Sequence, residues 1–383
     1  MKVLLITDQF LHINNEGVFG PANFCDNVRR LSIMGELSVC VQNCEDTTKM
    51  INVFNQNIED ILPRDRVTFI KKSFIWPRYK TISKMKSAIA NADLVIGYVP
   101  ALNAEVAERL AHNAGKKYFA LMVACPWDGL WNQDWKRKIA APYRFLLNRR
   151  VLKRADYALY VTNKFLQRRY PTYGQSIGLS DVVLNKSDES VLERRIEKIE
   201  SMTSGPVKIA TTAMLNIPYK GQRFVIRALR KLKDMGYTNY HYYLIGGGSE
   251  NKLKNLAHKL GVADQVTFVG RLTHEQVFML LDDIDIYIHP SLQEGLPRSV
   301  VEAMSRGLPC IGANTAAIPE LIDADFIVRR KSVDDIVSKL LKFDKQTLKN
   351  QAIRNFKEAL KFDCTLLDKR RNEFYLNITK DFE

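Results

Sequence analysis

Glu294 and Glu302 are separated by the seven-residue run Gly295-Leu296-Pro297-Arg298-Ser299-Val300-Val301. An ionised carboxylate only accepts hydrogen bonds, so a fixed pair of them suits a ligand rich in hydroxyls. Pro297 fits the first position of a helix, where its missing N–H costs nothing, and Gly295 lets backbone approach a ligand closely. The N–H groups of Arg298 and Ser299 can then face an anion, and a diphosphate fits that place. Glu302 lies three residues beyond Ser299, which puts both on one side of the helix while Val300, Val301 and Met304 face a core. Glu302 is expected to accept from the two vicinal hydroxyls of a ribose. Glu294, in the loop, is expected to do the same for a sugar beyond the phosphates. Singly, each acid reads more readily as a solvated surface residue. The ordered string from His289-Pro290-Ser291 through Glu302-Ala303-Met304 to Gly307-Leu308-Pro309 favours the ligand reading.

Such a loop needs a strand before it and a helix after it, at the carboxyl edge of a parallel sheet. The apolar run 284–289 supplies the strand, and 297–306 the helix. Strand patterns at 207–212, 242–245, 266–269 and 309–311 alternate with helical ones at 221–235, 250–260 and 275–281. Thr273 followed by Gln276 forms a capping box that starts the last of these. Earlier in the chain, strand patterns at 2–7, 94–98, 118–123 and 157–161 and a helix over 22–34 repeat the alternation, which predicts a second helix-covered parallel sheet. Residues 188–200 read as a charged helix, and 201–206, with Ser204-Gly205-Pro206, as the domain connection. The expected domains are 1–203 and 204–365. A C-terminal helix of about 366–383 is expected to pack back on the first.

The 383 residues exceed the usual size of one core, which agrees with two domains. The N-terminal apolar run is too short for a signal peptide, and no segment reaches the roughly 18 apolar residues of a membrane span. Cys25, Cys40, Cys44, Cys125, Cys310 and Cys364 are scattered without CxxC pairing or a histidine cluster, as reduced thiols would be. A cytoplasmic protein without a structural metal is expected. The formal charge of +15 is uneven: residues 1–170 hold 26 Lys/Arg against 15 Asp/Glu, a net of +11, so the first half should attract an anionic partner.

From Val207 to about Ile322 the chain resembles the family-four group of retaining glycosyltransferases, whose signature is two glutamates seven residues apart. The resemblance implies an α/β GT-B fold: two Rossmann-like, doubly wound parallel-sheet domains facing a cleft, the donor held mainly by the second and the acceptor by the first. It implies transfer with retention and without a metal or other cofactor. Tyr219-Lys220-Gly221 occupies the place of the family's phosphate-contacting lysine, and an ammonium there would stabilise diphosphate charge as the glycosidic bond breaks. The family's Gly-Arg before that lysine is Ala213-Met214 here, so Arg298 or Arg271 substitutes or the phosphate is held less tightly. Gly246-Gly247-Gly248 resembles the family's glycine loop beside the nucleotide, and Gly270-Arg271-Leu272 the loop against the base. Either stretch is also readable as a plain turn. The donor residues implied are Gly17, Gly20, Lys220, Gly247, Arg271, Leu272, Glu294, Gly295, Leu296, Arg298, Ser299 and Glu302.

On the acceptor side, Gly17 and Gly20 sit where the family has a glycine-rich loop, with a simple turn as the alternative. After strand 118–123 the family often carries a His-Asp pair. This chain has no histidine there, and Asp128 is the nearest group able to orient or deprotonate an acceptor hydroxyl, or else it caps a turn. Lys220, Glu294 and Asp128 are thus the expected catalytic groups. Residues 136–169 hold eleven Lys/Arg and the single acid Asp156, and they follow Trp127, Trp131 and Trp135. That combination suits an anionic membrane surface, at the inner face of the plasma membrane, or a solvated basic helix. The expected activity moves a hexose or N-acetylhexosamine from a nucleoside diphosphate sugar, UDP-linked by family frequency, to a surface glycan or lipid-linked acceptor. A nucleotide-sugar epimerase of the same fold is one alternative. A basic nucleic-acid-binding protein is another, although no recognised binding module accompanies the charge and binding alone leaves the glutamate pair unexplained.

Overall fold

The computed structural model describes residues 1–44, 54, 56–71, 78–132, 135–184, 188–203 and 205–383. They form two units, Met1–Leu179 with Asp368–Glu383, and Ser180–Leu367. Each unit is an α/β structure built on a parallel sheet, as the alternation in the sequence predicts.

In the first unit the long strand Lys2–Asn14 pairs in parallel with Glu36–Asn43 on one side and Leu94–Val99 on the other. Lys117–Met122, Tyr157–Tyr160 and Gln175–Gly178 extend the sheet beyond Leu94–Val99. Both faces are covered, so Leu4, Ile6, Val95, Ala120, Met122, Ala158 and Tyr160 are all buried. The strand Glu36–Asn43 was not anticipated. It pairs residue for residue with Lys2–Ile6, and Leu37, Val39 and Val41 are fully buried. The segment 368–383 packs on this unit: Phe374 and Tyr375 meet Phe119 edge-on, and the Tyr157 hydroxyl donates to Asp381 Oδ2 at 2.6 Å.

The second unit has a six-stranded parallel sheet in the order Val266–Gly270, Tyr240–Ile245, Val207–Thr212, Ile286–His289, Cys310–Ala313, Ile327–Val328. The strand order therefore reverses between Val207–Thr212 and Ile286–His289, which is where doubly wound sheets open a crevice for ligands. The capping box of Thr273 and Gln276 is formed in both directions.

The helix Ser190–Ser201 clusters with the second unit, so the division falls at 179/180 and not at the 203/204 expected from the Ser-Gly-Pro turn, of which Ser204 lies outside the described residues. Buried Arg195 on that helix explains why. Its guanidinium donates to the carbonyls of Leu281 (2.8 Å), Ile284 (2.5 Å) and Arg306 (3.0 Å), and Lys198 pairs with Asp285 at 2.8 Å.

Candidate active site

Four of the loops at the carboxyl edge of the second sheet carry the expected donor residues, and the two that flank the reversal meet each other. Gly221 ends the turn Pro218–Lys220 with φ of +80°, and a Cβ there would lie 2.1 Å from the Pro290 carbonyl oxygen. Only glycine permits that approach. The neighbouring backbone is stitched as well: Leu292 N–H donates to the Tyr219 carbonyl at 2.7 Å, and the buried Ser291 hydroxyl donates to the Gln293 carbonyl at 2.9 Å. These contacts carry Lys220 to the loop that follows Ile286–His289.

Lys220 Nζ lies 2.8 Å from Glu294 Oε1, and His289 Nε2 lies 2.8 Å from the same oxygen. His289 is 2% exposed and comes from the last residue of the strand, so the carboxylate is held from the sheet side and from the loop side at once. Burial works against charge on Glu294, but His289 and then Lys220 more than offset it, and the carboxyl is held down at about 2. Glu294 is an anion in this site at any physiological pH.

Glu302 is placed by the helix Arg298–Ser305 and is buried. His274 Nε2, on the helix His274–Asp283, lies 3.2 Å from Glu302 Oε1. Here burial dominates and raises the carboxyl above its ordinary value, against the opposing pull of His274 and Arg298. The two glutamates are therefore tuned in opposite directions. Glu294 has a cation on its oxygen, whereas the contact of Glu302 is an exposed histidine.

Pro297 is the residue that caps this helix, one position earlier than its expected place as the first helical residue. Its carbonyl accepts from Val300 and Val301, and among the described residues the N–H groups of Arg298 and Ser299 have no hydrogen-bond partner. They are available to an anion. Ser299 is half-buried in the first turn of this helix, and its free backbone N–H is what the turn itself offers a ligand. Gly295 and Leu296 line the same turn, and Gly295 accepts from Ala317 N–H at 3.2 Å.

The third and fourth loops lie side by side. A Cβ on Gly246 would strike the Ala213 carbonyl oxygen at 2.2 Å and one on Gly248 would strike Asn216 Oδ1 at 2.4 Å, so those glycines are needed for packing. Gly247 has room, and its nearest neighbour is Arg271 Cβ at 4.0 Å. Arg271 is exposed and Leu272 half-buried, two residues ahead of His274. Met214, where the family's arginine is missing, has an exposed side chain, and its carbonyl accepts from Gln222 Nε2 at 3.1 Å.

The remaining expected residues belong to the first unit. Gly17 and Gly20 are in a hairpin strand that pairs antiparallel with the end of Lys2–Asn14. The room left by their missing side chains is taken by Asn57 and Glu59 at Gly17 and by Leu11 at Gly20. Asp128, in the short helix Pro126–Trp131, is buried with Arg169 at 3.8 Å, and that guanidinium lies over the rings of Trp127, Phe145 and Phe165. This environment gives Asp128 a packing role in addition to the acceptor role read from the sequence. Among the described residues, no cluster of three His, Cys, Asp or Glu is placed to hold a metal, and no helix is long and apolar enough to cross a membrane.

His274 and His289 were not singled out as site residues. Each contacts a glutamate through the fold, His274 from 28 residues away. The one sequence signal available was that His289 ends the strand leading into the glutamate loop.

Residues 197–359 match the family model "Glycosyl transferases group 1", which spans Lys220, Glu294 and Glu302. Protein CapJ of Staphylococcus aureus is 24% identical over 317 residues, covering 81% of this chain and 78% of CapJ. The putative colanic acid biosynthesis glycosyltransferase WcaL of Escherichia coli K12 is 33% identical over 127 residues, 31% of each chain. Among solved structures, Anabaena HepE in complex with UDP superposes with a TM-score of 0.66 over 98% of this chain and 100% of its own, at 15% identity. The two parallel-sheet units and the likeness to solved structures show the GT-B fold, and residues 197–359 carry a group 1 glycosyl transferase domain.

Proposed function

We propose that the chain is a retaining hexosyltransferase that moves a hexose or N-acetylhexosamine from a nucleoside diphosphate sugar to a surface glycan or a lipid-linked acceptor, without a metal ion. The observation that carries this reading is the meeting of Lys220 and Glu294 at the sheet's reversal point, beside the unpaired N–H groups of Arg298 and Ser299. Cation and N–H donors suit the diphosphate, and the two acids suit hydroxyls at its two ends: Glu302 the ribose, Glu294 the transferred sugar. Gly247, Arg271 and Leu272 would flank the base. UDP is favoured because HepE, of the same fold, is described with UDP bound. A polysaccharide product is supported by the colanic acid assignment of WcaL. The basic segment 136–169 supports work at an anionic membrane face.

In the reaction the bond between the anomeric carbon and the phosphate oxygen breaks while the acceptor oxygen bonds to that carbon from the same face. The departing phosphate oxygen takes the acceptor proton. Lys220 and the helix N–H groups stabilise the charge left on the diphosphate, the group whose departure sets the barrier. Glu294, already an anion, holds the sugar hydroxyls in line. Asp128, buried against Arg169, orders the first unit's aromatic wall and does not need to move a proton in this scheme.

The test is product analysis by NMR after incubation with α-linked UDP-sugars and candidate glycan acceptors. The reading predicts release of UDP coupled to an α-linked product. A β-linked product, or an altered free sugar formed without an acceptor, contradicts it.

A further inference from the structure

The helix Trp135–Arg154 carries eight Lys/Arg and no acid, and its two sides differ sharply. Ala141, Asn148, Val151 and Leu152 point inward and are buried. Trp135, Ile139, Tyr143 and Leu146, at helical spacing on the other side, are 68%, 69%, 57% and 64% exposed. Trp131, at the end of the short helix Pro126–Trp131, is 45% exposed as well. A run of large apolar side chains left open to water is costly unless something covers it. Of the cations, Arg144 and Arg154 are engaged with Glu105 and Glu108 of the first unit. Lys136, Lys138, Arg149 and Arg150 are exposed around the stripe. The cover must therefore be apolar in its interior and negatively charged at its surface.

We infer that this helix docks flat on an anionic phospholipid bilayer, inserting Trp135, Ile139, Tyr143 and Leu146 among the acyl chains while the flanking Lys and Arg meet the headgroups. The length and polarity of the helix suit the interface, not a span. This makes specific the membrane part of the proposed function, and it rests on that reading for what the docked enzyme would glycosylate.

The same helix also walls a cavity of about 560 Å³ in the first unit. Ala140 and Arg144 face it together with Asp8, Phe10, Tyr98 and Leu130. Rings for a sugar face and polar groups for its hydroxyls stand there one helical face away from the bilayer stripe. An acceptor anchored in that bilayer by its lipid would have its polar head brought beside the cavity by the same docking step. Docking and acceptor capture thus share one structural element.

The experiment is co-sedimentation of the full chain with vesicles of equimolar phosphatidylglycerol and phosphatidylcholine, compared with phosphatidylcholine alone and repeated at raised salt. Wild type is expected to sediment with the anionic vesicles, to prefer them to neutral ones, and to be released progressively by salt. The double variant Ile139→Glu with Leu146→Glu, whose changes lie on exposed positions, is expected to lose at least about tenfold in partitioning, equivalent to about 1.4 kcal/mol. Its melting temperature and its thermal response to nucleotide sugars should stay those of wild type. Wild type left in the supernatant, or a double variant that sediments equally well, overturns the inference. So does light scattering that shows the stripe pairing two copies of the chain, with the glutamates merely separating them. The donor response is read on the same samples. Its loss with vesicle binding intact removes the proposed function, and the reverse result removes only the docking.

Discussion

Lys220 and Glu294, 74 residues apart in the chain, meet in a 2.8 Å ion pair across the point where the second sheet reverses its strand order. In this arrangement each group occupies the other. A bound donor would give Lys220 a phosphate and Glu294 a hydroxyl, so binding exchanges one ion pair for two ligand contacts, and His289 keeps the carboxylate in place during the exchange. Lys220→Ala should therefore lower the rate of nucleotide diphosphate release at saturating donor by about 10²–10³-fold, the range for removing a donor to developing charge. Lys220→Arg should recover only part of that, because a planar fork does not replace a point charge. An unchanged rate in Lys220→Ala would place the diphosphate elsewhere.

His289 is the support that the exchange relies on. His289→Phe fills the space but leaves Glu294 without one hydrogen-bond partner, at a cost of about 1.5–3 kcal/mol for a buried charged group. Urea unfolding should show that loss, together with a raised KM for the donor. His289→Gln, which retains a donor group, should recover most of both. Equal stability of His289→Phe and wild type would mean that the contact is idle.

The two glutamates should give opposite pH signatures. Glu294 titrates near 2 when folded and near the usual value of about 4.3 when unfolded. The unfolded chain thus takes up its proton first as pH falls, and the stabilisation from Glu294, complete above about 4.3, disappears on the way down to about 2. Glu302 is raised by burial, so the folded chain keeps its proton longer and stability declines as pH rises from the unfolded value towards the folded one. Urea midpoints across an acid titration should show Glu294→Gln flattening the acid loss, and Glu302→Gln removing the decline on the rising side. Superimposable profiles for the two variants and wild type would contradict the assigned tuning.

The boundary at Ser180 is open to a direct test. A fragment spanning 180–367 retains Arg195 and its three carbonyl acceptors and should unfold cooperatively. A fragment spanning 204–367 leaves those carbonyls unpaired and should not. In the full chain, Arg195→Met should cost about 2–3 kcal/mol in urea unfolding through the same unpaired groups. Equal behaviour of the two fragments would show that the helix Ser190–Ser201 is not an integral part of the second unit.

What could be read in the sequence was local. Glu294, Glu302, the proline between them and the capping box at Thr273 are fixed by spacings of a few residues, and the structure places them on the loop and helix that those spacings require. The alternation of apolar runs also located the central strands of both sheets, but not Glu36–Asn43 or short outer strands such as Val67–Phe69, Gln175–Gly178 and Ile327–Val328, whose pairing depends on their neighbours. What escaped was set by distant contacts. His274 meets Glu302, and Arg169 meets Asp128, only after the chain folds, so no spacing announces either. The domain boundary was drawn at a Ser-Gly-Pro turn, but one buried arginine upstream of that turn decides which unit the preceding helix joins.

The most direct test of the account is a thermal-shift titration of wild type and Glu302→Ala with UDP-, GDP- and ADP-linked hexoses and N-acetylhexosamines. Ligand at about 100 times its Kd stabilises the folded state by about 2.7 kcal/mol, enough to move the melting point by several degrees. The account predicts that at least one donor, UDP-linked, stabilises wild type to this extent and that Glu302→Ala loses the response. If no nucleotide sugar stabilises wild type, or if Glu302→Ala responds as wild type does, the donor site is not where Lys220, Glu294 and Glu302 place it.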